Sequence, residues 1–210
     1  PYLISLLDHP DPIICSNVAR ALGQIGDRSA VKPMITTLKQ MQTRKPLQEL
    51  VVSILIEGLG KMGEEAVSPL LELLNKSCLP DPVPSQIVNI LGQIGDRRAV
   101  KSLIQRLDDA SGQMRYEAAL ALRSIGDPVA IPPLVDQLED VQPDVVFAVA
   151  LALARLGDSH ALPPLVSVLK TGRAEQRKQA AKALGALGDR QATLNLVAAL
   201  NDNDQAVRQL

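Results

Sequence analysis

Apolar and polar positions repeat along this chain with a long period. One pattern, Ala–aliphatic–x–Pro–aliphatic–aliphatic–x–x–Leu, appears as AVKPMITTL at 30–38, AVSPLLELL at 66–74, AIPPLVDQL at 130–138 and ALPPLVSVL at 161–169. Looser copies are AVKSLIQRL at 99–107 and ATLNLVAAL at 192–200. Apolar residues at i, i+1, i+4, i+5 and i+8 share one face of a helix. Before each copy stands a second pattern: LGQIGD at 22–27 and 91–96, LGKMGE at 59–64, LRSIGD at 122–127, LARLGD at 153–158 and LGALGD at 184–189. Its later glycine falls at Gly26, Gly63, Gly95, Gly126, Gly157 and Gly188, at spacings of 37, 32, 31, 31 and 31 residues. Three equal intervals in succession define a 31-residue period. The longer first interval predicts an inserted loop near Met41 to Lys45.

Each period predicts a helical hairpin. A first helix such as 114–125 buries Met114, Ala118, Ala121, Leu122 and Ile125. Gly126 then ends it, since glycine takes the left-handed conformation without a Cβ penalty. Asp127 caps the next helix by accepting a first-turn N–H, and proline near that helix's start removes no bond the helix would have made. A hairpin with one apolar stripe per helix cannot shelter either stripe, so neighbouring hairpins must stack. The expected fold is all-α, a solenoid of about six two-helix repeats in one array over 1–210. Its units run roughly 11–42, 47–77, 82–109, 112–140, 143–171 and 174–202, with partial units at 1–8 and 204–210. PYLISLLD at 1–8 aligns with a second helix and DQAVRQL at 204–210 with the opening of a first, so the array is expected to be truncated at both ends.

The D-x-x-V-R start at Asp204 to Arg208, the A-A-x-A-L-G body at Ala180 to Gly185 and the G-D-x-x-A turn resemble HEAT-like repeats of the phycobilisome-lyase type. The resemblance covers essentially the whole chain and implies an α-solenoid. The family spans E/F-type bilin lyase subunits, phycobilisome-degradation adaptors, scaffolds and di-iron deoxyhypusine hydroxylases.

Composition narrows this range. Tyr2, Tyr116 and Phe147 are the chain's three aromatic residues, so the core must be built from Leu, Ile, Val and Ala, which suits closely packed helices. With 22 basic and 23 acidic residues the net charge is −1, and no positive field is available to neutralise phosphates, so nucleic acid is not an expected partner. Val145 to Ala154, the longest apolar run, is far shorter than the roughly 18 residues that suggest a membrane span. Cys15 and Cys78 have no metal-ligand spacing and read as reduced thiols of a cytoplasmic protein.

Candidate chemistry is sparse. The hydroxylases of the resembled family bind iron through His-Glu pairs, but His9 and His160 are the chain's two histidines and neither precedes a Glu. No metal and no cofactor are expected. Cys15 takes the first-helix position held by Arg115, Arg177 and Arg208 in other units, where it reads as a small buried residue. Cys78 lies in the loop CLPDP, where a bilin-carrying thiol is conceivable. Asp27, Glu64, Asp96, Asp127, Asp158 and Asp189 are caps by position.

Departures from the repeat carry more information about binding. On the first helices one outward row reads Ser16, Ser53, Ser85, Tyr116, Phe147 and Lys178, and the row one turn later reads Arg20, Glu57, Asn89, Leu120, Leu151 and Lys182. Polar residues fill both rows except at Tyr116, Leu120, Phe147 and Leu151, which are expected to form one outer apolar patch. A partner and intramolecular cover explain that patch equally well, because Val145 to Ala154 is apolar almost all round. The second helices, which line the concave face in the resembled family, carry an outward row that includes Lys101, Gln105, Pro132, Asp136 and Pro163. A row graded from charged to apolar suits a protein partner of mixed character. The expected function is a non-catalytic scaffold or adaptor for another protein, with phycobilisome or photosynthetic components as partners implied by the resemblance. The alternative is a subunit of an E/F-type bilin lyase, the one reading in which a bilin is bound.

Overall fold

The computed structural model describes residues 2–41, 48–75, 79, 82–200, 202 and 204–208. Among them there is no strand. First helices α1 (Pro12–Ile25), α3 (Gln48–Lys61), α5 (Val83–Ile94), α7 (Gly112–Ile125), α9 (Pro143–Arg155) and α11 (Ala174–Leu187) alternate with second helices. The second helices are α2 (Val31–Met41), α4 (Glu64–Leu74), α6 (Val100–Arg106), α8 (Ile131–Asp136), α10 (Leu162–Thr171) and α12 (Thr193–Ala199). None of these helices is long and apolar enough to cross a membrane. Met41 ends α2, and the rest of the predicted inserted loop, 42–45, lies outside the described residues, as does Cys78.

The turn between paired helices follows from two residues. All six glycines predicted to end a first helix have positive φ, from 67° to 78°, and no other described residue does. Gly126 closes α7 with its N–H on the Leu122 carbonyl at 2.9 Å. The next residue caps: Asp27, Asp96, Asp127, Asp158 and Asp189 each accept the N–H two residues on, at 2.7–3.0 Å. That cap opens a three-residue 3-10 turn ending on a fully buried alanine, namely Ala30, Ala99, Ala130, Ala161 or Ala192. The conserved-looking Ala of the repeat is therefore the point where the turn enters the core.

Glu64 departs from the expectation. It makes no capping bond, because α4 starts directly on it after Gly63 with no 3-10 turn between. Without that turn the acidic residue occupies the first helical position instead of the cap, where its charge favours the positive end of the helix dipole. Ile125 is half-buried, whereas Met114, Ala118, Ala121 and Leu122 are buried as predicted.

The chain divides into two compact units, residues 1–102 and 103–210, with the division falling inside α6. In the first unit α3 packs between α1 and α5, and α2 and α4 form a second layer beside them. Its core holds Met34, Leu38, Leu55, Leu59, Leu70 and Ile87, all fully buried. Helices α1 and α3 meet at glycines: a Cβ added to Gly23 would lie 2.6 Å from the Gly58 Cα. Removing two side chains at the crossing lets the backbones approach, a use of glycine distinct from its role in turns.

In the second unit α9 packs against α7 on one side and α11 on the other, with α8 and α10 against it as well. Small residues make this enclosure possible. Ala148, Ala150 and Ala152 have no exposed surface, and the larger Val149 and Leu153 fill the gaps between them. A helix covered on so many sides has no polar stripe to give, which accounts for the uninterrupted apolar run in its sequence.

Candidate functional site

The second helices present a regular outward row. Ala130, just before α8, and Leu134 within it are fully buried, while Pro132 and Asp136, two residues after each, are exposed. In α10 the same alternation buries Ala161 and Leu165 and exposes Pro163 and Ser167. Gln105 on α6 is exposed in this unit, as Lys101 is in the first, together with Lys32, Thr36, Ser68 and Glu72. Prolines at the second position of α8 and α10 need no N–H partner there. Farther along the second unit, Leu194 on α12 is 82% exposed. Within the second unit the row runs from polar Gln105 through the prolines to aliphatic Leu194, and these side chains take no part in the core.

The outer apolar patch requires correction. Phe147 and Leu151 retain 6% and 4% of their surface, and Tyr116 and Leu120 are half-buried. Both α9 positions are core, for different reasons: the row of Phe147 faces inward in every unit, with Ser16 buried and Ser53, Ser85 and Lys178 half-buried, whereas Leu151 is covered because α9 packs between α7 and α11. At the same position as Leu151, Arg20, Glu57 and Asn89 are exposed in the first unit and Lys182 in the second. Intramolecular cover, the competing explanation for this cluster, is what buries Phe147 and Leu151.

Two further constellations bear on what the chain can do. Arg115 forms a two-pronged contact with Asp140, Nε to Oδ2 at 2.5 Å and Nη2 to Oδ1 at 2.9 Å, and donates to the Asp109 carbonyl at 2.8 Å. Arg177 repeats this with Asp202 at 2.8 and 2.6 Å and with the Gly172 carbonyl at 3.0 Å. Each aspartate also accepts the N–H two residues on, Gln142 and Asp204 respectively. The guanidinium and then the Asp204 N–H hold the Asp202 carboxyl at about 2, and Arg115 lowers Asp140 in the same sense. Sequence reading found the arginines but missed their aspartates 25 residues on, whose signal is Asp at the close of the same two units. These forks tie the start of a hairpin to its end and are structural. Where Cys15 replaces the arginine, its Sγ donates to the Leu7 carbonyl at 3.1 Å, and burial followed by the charge of Asp8 raises the thiol. That is an inert thiol, not a nucleophile.

His160 packs its Nδ1 2.7 Å from the capping Asp158 Oδ1, and His9 accepts the Asp11 N–H, so both histidines serve turns. Among the described residues no cluster of three or more His, Cys, Asp or Glu side chains is placed to hold a metal. Two cavities open in the second unit. One of about 560 Å³ is walled by Lys182, Gly185, Leu196, Val197, Leu200 and neighbours between α11 and α12. The other, about 260 Å³, lies where the opening turns of α7, α9 and α11 meet, with Tyr116 and Phe147 among its walls.

The chain is similar to several solved structures. Against the complex of CpcE and CpcF of phycocyanin lyase from Nostoc sp. PCC7120, the chain aligns with a TM-score of 0.66 at 25% identity, over 98% of this chain and 90% of that one. A computationally designed armadillo repeat protein for modular peptide recognition gives 0.52 at 22% identity, over 89% of this chain and 98% of that one. An engineered protein gives 0.53 at 22% identity over 99% of this chain, which spans 65% of that protein's length. The comparison with curated proteins finds no match. The model of HEAT repeats matches residues 1–83, 79–151 and 131–210, and with the hairpins, glycine turns and capping aspartates described above, the chain belongs to the HEAT-repeat family.

Proposed function

We propose that the chain is a non-catalytic scaffold that holds another protein against the exposed row of its second helices. The observation that carries this reading is the row itself. Gln105, Pro132, Asp136 and Pro163 stand exposed in one register of the second unit, each flanked by core residues that fix it in place. A rigid, evenly spaced surface of mixed polarity suits a large protein partner better than a small substrate, which needs an enclosing pocket. Lys101 belongs to the corresponding row of the first unit. Phycobilisome components are the proposed partners and the cytoplasm the proposed location. Likeness to a phycocyanin lyase chain supports the first, and the free thiol of Cys15 supports the second.

A second reading is favoured by the same likeness, since it extends over nearly the whole of both chains. In it the protein is a subunit of an E/F-type bilin lyase. Incubation with phycocyanobilin and an apo-phycobiliprotein separates the two. The scaffold reading expects no covalently coloured product after denaturation, whereas acceleration of covalent attachment over the protein-free control replaces it with the lyase reading.

A further inference from the structure

We infer that the 260 Å³ cavity between the opening turns of α7, α9 and α11 is a site for an extended, uncharged peptide segment of a partner protein. This uses the first helices, not the second-helix row, and shares with the scaffold reading only the premise that the ligand is a protein.

Three features of the lining select that ligand. The first is its supply of carboxamides: Gln113, Gln142 and Gln179 line the cavity beside Gln176, whose own carboxamide is engaged by Arg173 and Asp144. A carboxamide offers one acceptor and a pair of donors in a plane, the same groups that a peptide main chain displays. Gln113 and Gln179 each give one donor to a carboxylate of their own helix, Glu117 at 2.8 Å and Glu175 at 3.3 Å, which steadies them; their carbonyl oxygens accept no bond among the described residues. The side chain of Gln142 has no hydrogen bond among the described residues. It lies against Gly112, in the space that a Cβ there would occupy.

The second feature is electrical balance. Asp144 and Arg173, the charged residues on the wall, lie 3.8 Å apart, and Asp144 also accepts from Gln176 at 3.1 Å. Neither an anion nor a cation finds an unanswered charge. The third is shape. The half-buried Tyr116, with the edge that Phe147 leaves open, makes the aromatic part of the wall, matched to one apolar side chain of the ligand. Adjacent packed helices are about 8–10 Å apart, so crossing from α7 to α11 takes a ligand of roughly 16–20 Å. An extended chain rises about 3.3 Å per residue, and five or six residues make that crossing.

The test uses the full chain and a phage-displayed library of random linear peptides. Enriched sequences are synthesised, and their affinities are measured by fluorescence anisotropy against wild type, Gln142→Ala, Gly112→Ala and Pro132→Glu. Gly112→Ala adds only a methyl at the first position of α7 and displaces the Gln142 carboxamide, so it probes the site without removing a polar group. Circular dichroism checks that each variant keeps its helicity. The expected result is a set of peptides with one shared apolar residue, weakened about fivefold to tenfold by Gln142→Ala and by Gly112→Ala, the loss of one hydrogen-bonding partner, and indifferent to Pro132→Glu. Failure to enrich any peptide overturns the inference, as does equal binding by wild type and both cavity variants. Displacement of the peptides by a neutral oligosaccharide would reassign the cavity to a sugar. Peptides lost with Pro132→Glu alone would leave the scaffold reading standing and remove this site.

Discussion

Alanine at Gly185 is expected to stabilise the protein and alanine at Gly23 to leave it less stable than that variant, although the two glycines hold the same place in their repeats. In α11 a Cβ added at Gly185 meets nothing within 4 Å. Only helix preference acts there, a gain of about 0.8–1 kcal/mol. In α1 the same atom at Gly23 stands 2.6 Å from the Gly58 Cα and 3.1 Å from the Gly58 carbonyl oxygen. Carbon atoms rest at about 3.5–4.0 Å, and the obstacle is backbone that no rotamer change can move. Overpacking of this kind costs about 1–3 kcal/mol. Helix preference is common to both substitutions and cancels, so the two variants should differ by that same 1–3 kcal/mol, roughly. Gly60→Ala should fall between them, because its Cβ meets the Ile90 methyls at 2.9 and 3.0 Å and these can turn aside. Urea unfolding followed by circular dichroism gives the free energies. A thermal scan should show Gly185→Ala raised by about 2–4 °C. Equal shifts for Gly23→Ala and Gly185→Ala would refute the claim that α1 and α3 depend on a glycine crossing.

Other outcomes follow from the same packing and charges. Phe147→Ala should lose about 3–5 kcal/mol in the same urea assay, the range for a buried ring, while Tyr116→Ala at its half-buried site loses less. The forked aspartates set acid sensitivity: their pKa values are lower folded than unfolded, so their contribution is present above the ordinary carboxylate range and lost as pH falls toward the folded value of about 2 at Asp202. The melting temperature of wild type should therefore drop more steeply between about pH 4 and pH 2 than that of Asp202→Asn, and parallel curves would contradict this. In a Cys78→Ser background, Cys15 should react with a thiol reagent only after unfolding, since burial holds it as a neutral thiol; labelling of the native protein at the unfolded rate would show the site open.

The glycine–aspartate turns were legible in the sequence because each depends on one or two residues with a fixed stereochemical demand. Left-handed backbone at Gly26 or Gly157 and an acceptor one residue later need no knowledge of neighbours. The apolar face of each second helix was legible for the same reason, since its period is local. Depth was not. Reading rows of equivalent positions assumes that every first helix stands equally far out, and α9 does not. Its alanines let α7 and α11 pack close on either side, which covers Leu151, a consequence of three helices together. The Arg115–Asp140 and Arg177–Asp202 forks were missed on similar grounds, because partners 25 residues apart meet only once the hairpin has folded. Glu64 misled because position in the repeat was taken for role, while one residue fewer in the turn removed the geometry a cap requires.

Site-specific photo-crosslinking tests the protein-binding surface most directly. A photoreactive side chain is placed in turn at Gln105 and Asp136 on the second helices and at Lys182 on a first helix, all exposed positions of the second unit. Irradiation in the presence of phycobilisome proteins should join a single protein to the chain from Gln105 and Asp136 and none from Lys182. Adducts from Lys182 alone, or the same diffuse adducts from all three positions, would contradict a binding face on the second helices.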